Sequence, residues 1–202
     1  MDNKNNGSDD IEVSEAIKKY DEDRRYTYAD YESWDDDNRY ELIDGIPYVM
    51  FAPSTTHQSI SMELSIQLGS FLKGKPCRVF AAPYDVCLNG LGDEDHTVVQ
   101  PDLLVVCDES KIDKKRCNGA PDMTIEILSP STSKRDLLTK LVKYQNAGVR
   151  EYWIIDPDAE VVKVHVLENG RYVISSYESN EVITVNVLDG CVITLSDVFL
   201  SK

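Results

Sequence analysis

Two segments in the middle of the chain constrain its fold most strongly: VVQPDLLVVC (residues 98–107) and MTIEILSP (residues 123–130). In the second segment, Met123, Ile125 and Ile127 alternate with the residues between them, which is the two-residue period of a β-strand. Both faces of this strand are largely apolar, as expected for a strand that is covered on both sides. The segments predict an α/β fold in which helices flank a mixed β-sheet.

The neighbouring segments predict the other elements. Residues 27–34 predict a short capped helix, and residues 54–72 and 134–147 carry apolar stripes at helical spacing. Glycine-containing turns at residues 44–45 and 169–170 predict β-hairpins, and the second of these adds extra strands near the C-terminus.

The 202 residues are expected to form one folded domain over residues 27–202. Residues 1–26 contain few apolar residues and show no clear period, so we predict a flexible, acidic N-terminal extension. No stretch approaches the roughly 18 consecutive apolar residues of a membrane span. We therefore expect a cytoplasmic protein that has no membrane partner.

The cysteines are scattered along the chain and odd in number, at positions 77, 87, 107, 117 and 191. They form no CxxC pair, and the odd count fits poorly with a disulfide framework. The sequence therefore predicts reduced thiols, which act mainly as small buried apolar side chains.

Three acidic residues lie where a charge is unexpected. Glu126 is inside the apolar strand, Asp102 precedes a run of five apolar residues, and Glu41 lies in the strand-like segment YELID. Each has a purely structural explanation: a turn after proline for Asp102, a solvent-exposed edge strand for Glu41, and an ion pair with a lysine of the next helix for Glu126.

Considered together, the three carboxylates predict a metal site. An aspartate at the start of one strand and a glutamate inside another can converge on adjacent strands of a sheet. Carboxylates that meet repel each other, and they stay ionised together only if a cation lies between them. Oxygen ligands suit Mg²⁺ or Mn²⁺, and a lysine nearby would orient or deprotonate a water molecule beside the metal.

The chain resembles the bacterial Uma-type restriction endonuclease family, which lies within the restriction-endonuclease-like PD-(D/E)XK superfamily. Five blocks carry this resemblance, in the order RYELIDG (39–45), APSTTHQ (52–58), VVQPDLLVV (98–106), GAPDMTIEILSPST (119–132) and DLLTKLVKYQNAGVREYWIIDPD (136–158). The resemblance covers about residues 27–168. It implies a restriction-endonuclease-like core and a metal-dependent hydrolysis of phosphodiester bonds.

The resemblance also implies roles for the carboxylates. Asp102 and Glu126 would hold Mg²⁺ or Mn²⁺ together with the backbone carbonyl of Ile127, and Glu41 would assist.

The chain departs from the superfamily pattern at one position. The usual lysine, two residues after the glutamate, is replaced by Leu128. The resemblance therefore assigns the catalytic lysine to the following helix, with Lys140 as the first choice and Lys143 as the second.

Weaker signals suggest substrate contacts. His57 begins a helix and Gln100 precedes the proline of VVQPDLLVV, so either could touch substrate, or could make an ordinary structural hydrogen bond. The segment SPSTSKRD (129–136) offers hydroxyl groups and two cations before a helix, which suits either a phosphate site or a polar capped loop.

The favoured function is metal-dependent cleavage of DNA, although the net charge of −15 opposes binding to a polyanion. The alternatives are a non-catalytic binding module that keeps the nuclease fold, and a metal-dependent hydrolase of a small phosphate ester. A homodimer is expected by analogy with restriction enzymes.

Overall fold

The structure is a computed structural model that describes residue 21, residues 23–129 and residues 134–199. For residues 134–136 it describes the backbone alone. The flexible extension predicted for residues 1–26 therefore falls almost entirely outside the described residues.

The described chain alternates strands with a few helices. The strands are β1 (Arg39–Ile43), β2 (Ile46–Met50), β3 (Arg78–Ala81), β4 (Asp85–Cys87), β5 (Val98–Val99), β6 (Leu103–Val106), β7 (Arg116–Asn118), β8 (Met123–Ile127), β9 (Glu151–Asp156), β10 (Val161–Glu168), β11 (Arg171–Glu178), β12 (Val182–Thr184) and β13 (Val192–Thr194). The α-helices are α1 (Tyr28–Glu32), α2 (Thr55–Leu72), α3 (Lys134–Ala147) and α4 (Leu195–Val198). No helix within the described ranges is long and apolar enough to cross a membrane.

The strands form two mixed sheets and a small third one. The five-stranded sheet has the order β2-β1-β5-β4-β7, with β4 and β7 parallel and the other neighbours antiparallel. The six-stranded sheet has the order β11-β10-β9-β8-β6-β3, in which only β8 and β9 are parallel. Strands β12 and β13 pair with each other. The sequence predicted one mixed sheet, and the structure divides its strands between two.

Local sequence explains the first elements. Thr27 and Asp30 form a capping box at the start of α1, each side chain accepting a hydrogen bond from the backbone of the other. Asp44 and Gly45 both have positive φ, at 53° and 76°, which is the conformation that a two-residue hairpin turn requires. The helix and the hairpin predicted from these residues are thus present.

The six-stranded sheet is covered on both faces, as its apolar strands predicted. On one face, Ile60 and Leu64 of α2 pack in a core cluster with Ile125 and Trp153. On the other face, Tyr144 of α3 joins a second cluster that reaches the five-stranded sheet. Glu126 lies on this second face, because its side chain points away from that of Ile125. The fold therefore turns Glu126 toward the junction between the two sheets.

The segment 98–107 does not form the single strand that its apolar run predicted. It provides β5 to one sheet and β6 to the other, and it bends between them at residues 100–102. Proline lacks an N–H group and cannot continue a sheet ladder, which explains why the strand is interrupted here.

The prediction of five reduced thiols is wrong for one pair, because Cys77 and Cys107 form a disulfide. The antiparallel register pairs Arg78 with Val106, so the adjoining cysteines face each other across two neighbouring strands. They are separated by 30 positions in sequence, and spacing alone could not reveal this register. The remaining cysteines are free and buried, as predicted: Cys87, Cys117 and Cys191.

Candidate functional site

The bend between β5 and β6 brings acidic residues of the two sheets together. The backbone N–H of Gln100 donates to Oε1 of Glu41 on β1, at 2.8 Å. Two residues later, Oδ2 of Asp102 accepts a hydrogen bond from the backbone N–H of Ile127 on β8, at 2.7 Å. The Gln-Pro-Asp bend thus fixes one carboxylate by its backbone and places another beside the end of β8.

Lys140 of α3 joins the two glutamates. Its Nζ lies 2.9 Å from Oε1 of Glu41 and 3.0 Å from Oε1 of Glu126. The three side chains are only 12%, 8% and 12% exposed, so this ion-pair cluster is shielded from solvent. The five-stranded sheet, the six-stranded sheet and helix α3 each contribute one of its members.

Tyr144 also belongs to the site, although the sequence indicated only that it lies in the apolar stripe of its helix. Its hydroxyl group donates to Oε1 of Glu126 at 2.7 Å, and the residue is fully buried. The spacing of four residues from Lys140 could have revealed it, because residues four apart lie on the same face of a helix.

His57 binds the third carboxylate. Its Nε2 lies 3.1 Å from Oδ2 of Asp102, and Ser54 caps the helix by accepting from the backbone N–H of His57. Burial alone would lower the pKa of His57, but the hydrogen bond and charge of Asp102 raise it overall. Its buried Nδ1 has no hydrogen-bond partner among the described residues.

The buried cluster is short of positive charge. Burial raises the pKa of Glu126 to about 7, and the charges of Glu41 and Asp102 add to this effect while Lys140 opposes it. Burial would lower the pKa of Lys140, but Glu126 and Glu41 outweigh it and raise the pKa. Lys140 therefore stays a cation at neutral pH, whereas the ionised form of Glu126 is disfavoured.

One pocket of about 350 Å³ is lined by Glu41, His57, Gln100, Asp102, Glu126, Ile127 and Lys140, and Tyr144 is outside this lining. Its polar lining comprises Arg39, Glu41, His57, Gln58, Gln100, Asp102, Glu126, Ser129 and Lys140. The site predicted from scattered sequence positions is thus one continuous cavity.

Gln100 is engaged on every side by protein groups. Its amide oxygen accepts from Arg39 at 2.5 Å, and its amide nitrogen donates to Asp85 at 2.7 Å and to Tyr31 at 3.1 Å. Because the side chain has these partners and Gln100 is 4% exposed, the arrangement favours positioning of Glu41 over direct contact with substrate.

The structure separates the two candidate lysines. Lys143 pairs with Asp44 at the surface, Nζ to Oδ1 at 2.5 Å, and among the described residues it forms no ion pair with Glu41, Asp102 or Glu126. Lys140 is the one that reaches the carboxylates. The phosphate site considered for SPSTSKRD lies mostly outside the described residues, because residues 130–133 are not described.

The donor atoms suit a hard divalent cation. Carboxylates of Asp102 and Glu126 and the backbone carbonyl of Ile127 are oxygen ligands of the kind that Mg²⁺ and Mn²⁺ prefer. A cation would also offset the unfavourable burial of charge on Glu126. No three His, Cys, Asp or Glu side chains in the described part of the chain are grouped closely enough to hold a metal ion. Lys140 contacts Glu126, and His57 contacts Asp102.

The fold defines a mixed α/β protein in which helices flank two mixed sheets. The family model described as "Uma2: Putative restriction endonuclease" matches residues 28–196, and the chain belongs to this family. The family predicted from the five sequence blocks is therefore confirmed.

Two further comparisons found similar proteins. The chain is 26% identical over 156 residues to a Synechocystis protein described as "Uncharacterized protein slr1290", which covers 75% of this chain and 80% of that protein. The fold of the present chain matches the crystal structure of "a putative nuclease belonging to DUF820" from Anabaena variabilis, with a TM-score of 0.68 and 22% sequence identity. That match covers 86% of this chain and 97% of the other, and it confirms the predicted fold class.

Proposed function

We propose that the protein is a metal-dependent nuclease that hydrolyses phosphodiester bonds in DNA. The observation that carries this proposal is the convergence of Glu41, Asp102, Glu126 and Lys140 from four separate segments on one pocket. The family description and the name of the structural neighbour both refer to nucleases, which supports the same reaction class.

In this proposal, Asp102 and Glu126 hold one Mg²⁺ or Mn²⁺ together with the backbone carbonyl of Ile127. When bound, the ion would polarise a phosphoryl oxygen and lower the pKa of a water molecule. His57 holds the carboxylate of Asp102 in place, and the backbone N–H of Ile127 fixes the same oxygen.

The remaining residues act on the attacking water and on the phosphate. Because its pKa is raised, Lys140 keeps its proton, so it orients water or stabilises negative charge on the phosphate and does not act as a base. Glu41 shares this lysine with Glu126 and is fixed by the N–H of Gln100, so its role is to aim the ammonium group.

The second candidate is a non-catalytic binding module. It is favoured by the Lys140 ion pairs, which satisfy Glu41 and Glu126 without any metal, and by the net charge of −15. A hydrolase of a small phosphate ester would use the same residues without needing a basic groove for a polyanion.

A homodimer is part of the proposal, whereas the cytoplasmic location expected from the sequence stays a prediction. The disulfide between Cys77 and Cys107 argues against the location, because cytosolic proteins rarely keep disulfides.

A cleavage assay tests the reaction. Parent, Lys140→Ala and Lys143→Ala proteins are incubated with Mg²⁺ or Mn²⁺ and single-stranded DNA, double-stranded DNA or a simple phosphodiester. We expect Lys140→Ala to lose turnover by roughly 10²–10⁴-fold. Lys143→Ala is the matched control on the same helix and should retain activity, because Lys143 pairs with Asp44 away from the pocket.

Calorimetric titration with Mn²⁺ tests the ligands. Binding should weaken sharply in Asp102→Asn and in Glu126→Gln, and it should persist in Lys143→Ala. Unchanged binding in both carboxylate variants contradicts the metal site. Absence of cleavage by the parent on every substrate supports the non-catalytic module.

A further inference from the structure

Exposed aromatic side chains are concentrated at the candidate site. Among the described residues, the exposed aromatic side chains are Tyr48 and Phe51, at 39% and 45%. Both line the pocket that contains Asp102 and Glu126. Tyrosine and phenylalanine elsewhere in the described chain are at least partly buried, so this placement indicates a surface for binding a ligand.

The hairpin register directs Tyr48 toward the acidic cluster. Tyr48 of β2 pairs with Glu41 of β1, and Met50 pairs with Arg39. Residues directly opposite each other in an antiparallel pair project from the same face, with Cβ atoms about 4.5–5.5 Å apart. Tyr48 is therefore the immediate neighbour of Glu41 on the pocket wall.

The position of β2 makes an additional strand a poor occupant of this surface. β2 is an edge strand of the five-stranded sheet, and it contains Pro47. A proline on an edge strand removes a backbone donor and discourages pairing with another strand. The ligand is better sought among molecules that can also reach Asp102 and Glu126 in the same cavity.

The charges of the pocket disfavour a rigid duplex. Among the side chains that the structure describes, the cations in its lining are Arg39 and Lys140, and both already contact partners within the protein. A duplex needs a series of cations along its phosphates, and the affinity that they supply depends on their number. Stacking of a base on an aromatic ring needs no charge and accepts any base, because every base has a π-face.

We propose that Tyr48 is a stacking subsite for an unpaired nucleobase, with Phe51 in the lining of the same pocket, and that the substrate is DNA whose nucleotides are unpaired at the cleaved phosphate. The aromatic wall would hold the base while the neighbouring phosphate lies at the carboxylates. This inference deepens the proposed nuclease function and rests on it for the position of the phosphate.

Binding of short fluorescent oligonucleotides tests the subsite. The probes are a single strand, the same strand with abasic positions at its centre, and the matching duplex, with Ca²⁺ in place of Mg²⁺ to prevent cleavage. The parent should bind the single strand more tightly than the duplex. Tyr48→Ala should weaken binding of the single strand by about 5- to 150-fold, which is the effect of losing one stacked base.

Two variants serve as controls. Tyr48→Phe keeps the ring and should bind as the parent does. Ile174→Ala removes a more exposed apolar side chain (57%) from β11, an edge strand outside the pocket, and should also bind normally. On the abasic strand, Tyr48→Ala should make little further difference, because the base that stacks is already missing.

Several outcomes overturn the subsite. They are equal or tighter binding of the duplex, normal binding by a folded Tyr48→Ala protein, and equal losses in Tyr48→Ala and Tyr48→Phe, which would identify the hydroxyl group as the contact. Melting temperatures show whether each variant is folded, and Phe51→Ala gives a second test of the aromatic wall.

The binding and cleavage results separate this inference from the proposed function. Tyr48-dependent binding of single strands without any cleavage in Mg²⁺ or Mn²⁺ supports the subsite and contradicts the nuclease. Cleavage of duplex DNA that does not depend on Tyr48 supports the nuclease and overturns the subsite.

Discussion

Lys140 is held by two carboxylates that come from different sheets. Substitution of the lysine and substitution of one carboxylate should therefore change the stability of the protein differently. Removing the lysine leaves Glu41 and Glu126 facing each other with no cation between them. Neutralising Glu126 still leaves Lys140 paired with Glu41, and it removes a carboxylate whose pKa burial already raises.

This asymmetry gives a prediction for metal-free protein. Lys140→Met should lower the free energy of unfolding by about 3–5 kcal/mol, the usual effect of leaving a buried charge unpaired. Glu126→Gln should change it by less than about 1 kcal/mol, or increase it, because relief of repulsion offsets the lost ion pair. Urea denaturation in EDTA measures both, and Lys143→Met is the surface control.

A purely structural ion pair would remove this difference between the two variants. If Glu126→Gln lost as much stability as Lys140→Met, Glu126 would be the partner of a stabilising salt bridge, and a metal would not be needed to explain its burial.

His165 provides a test of pH dependence away from the site. It is 3% exposed on β10, stacked on Tyr152 and near Tyr172, and its Nδ1 lies 3.1 Å from the carbonyl oxygen of Tyr152. Burial lowers its pKa below the ordinary value of 6.5, and the charge of Lys163 acts in the same direction. The folded protein therefore binds a proton at His165 less readily than the unfolded chain does.

The sign of the effect follows from linkage. Above about pH 6.5 the stability that His165 contributes is fully present, and it is lost as the pH falls from there toward the lowered folded pKa. His165→Asn keeps a donor near the Tyr152 carbonyl but cannot titrate. Its free energy of unfolding should fall less than that of the parent between pH 7 and pH 5. Parallel curves for the two proteins would contradict the lowered pKa.

At the scale of single elements, the β1–β2 hairpin shows how a turn supports its surroundings. Gly45 has φ of 76°, and a Cβ at this position would lie 2.9 Å from the backbone of Arg25 and from the backbone nitrogen of Tyr26. Gly170, in the β10–β11 turn, has a similar φ of 78° but nothing within 4 Å of a Cβ. The two glycines share one backbone conformation and differ in what approaches them.

Alanine at each position should therefore give unequal losses. Gly170→Ala should cost about 1 kcal/mol, because an L-residue is strained at positive φ. Gly45→Ala introduces the same strain and must also displace the chain at residues 25–26. It should therefore lower the free energy of unfolding by at least about 1 kcal/mol more than Gly170→Ala does. Thermal or urea unfolding of the two variants measures the difference. Equal losses would show that residues 25–26 can move away freely.

The residue pairing of the hairpin also shows which neighbours in the sheets can be predicted from the sequence and which cannot. A two-residue turn at Asp44 and Gly45 sets the register, and counting outward places Tyr48 opposite Glu41. The sequence therefore held the information for this neighbour of the site, although the prediction did not use it. Strands β3 and β6 are not joined by a short turn that would fix their register. The sequence therefore could not predict that Cys77 and Cys107 lie opposite each other.

The bend after β5 shows what the periodicity of apolar residues cannot predict. The run from Val98 to Cys107 is apolar enough for a single strand, and a proline inside it shows only that pairing is interrupted. Which sheet each half joins depends on partners far along the chain. The carboxylates were predictable because charges in apolar strands stand out, whereas Tyr144 was hidden among apolar helix residues.

At the scale of the whole molecule, the site exists only because two sheets meet. Glu41 comes from the five-stranded sheet and Glu126 from the six-stranded sheet, and Lys140 of α3 lies between them. Neither sheet alone contains both glutamates. The pocket therefore depends on the packing of both sheets and of α3, and the N-terminal segment contributes to the folded domain through Tyr26.

Tyr26 connects the start of the described chain to the body of the protein. It is 6% exposed, its backbone N–H donates to the carbonyl oxygen of Gly45 at 2.9 Å, and its ring packs edge-on against Trp34. It also belongs to a core cluster with Leu42 of β1. The boundary at which shortening the chain becomes costly should therefore lie close to this residue.

Two shortened chains locate this boundary. Removal of residues 1–20 should shift the melting temperature by no more than about 3 °C, because few apolar residues are lost with them. Removal of residues 1–27 deletes the buried ring of Tyr26 and the cap of α1. This should cost about 2–4 kcal/mol and lower the melting temperature by roughly 5–15 °C. Calorimetry of both chains beside the full-length protein provides the measurement. If the chain lacking residues 1–20 lost its cooperative transition, the acidic extension would belong to the folded core, and a domain that begins near residue 27 would be the wrong description.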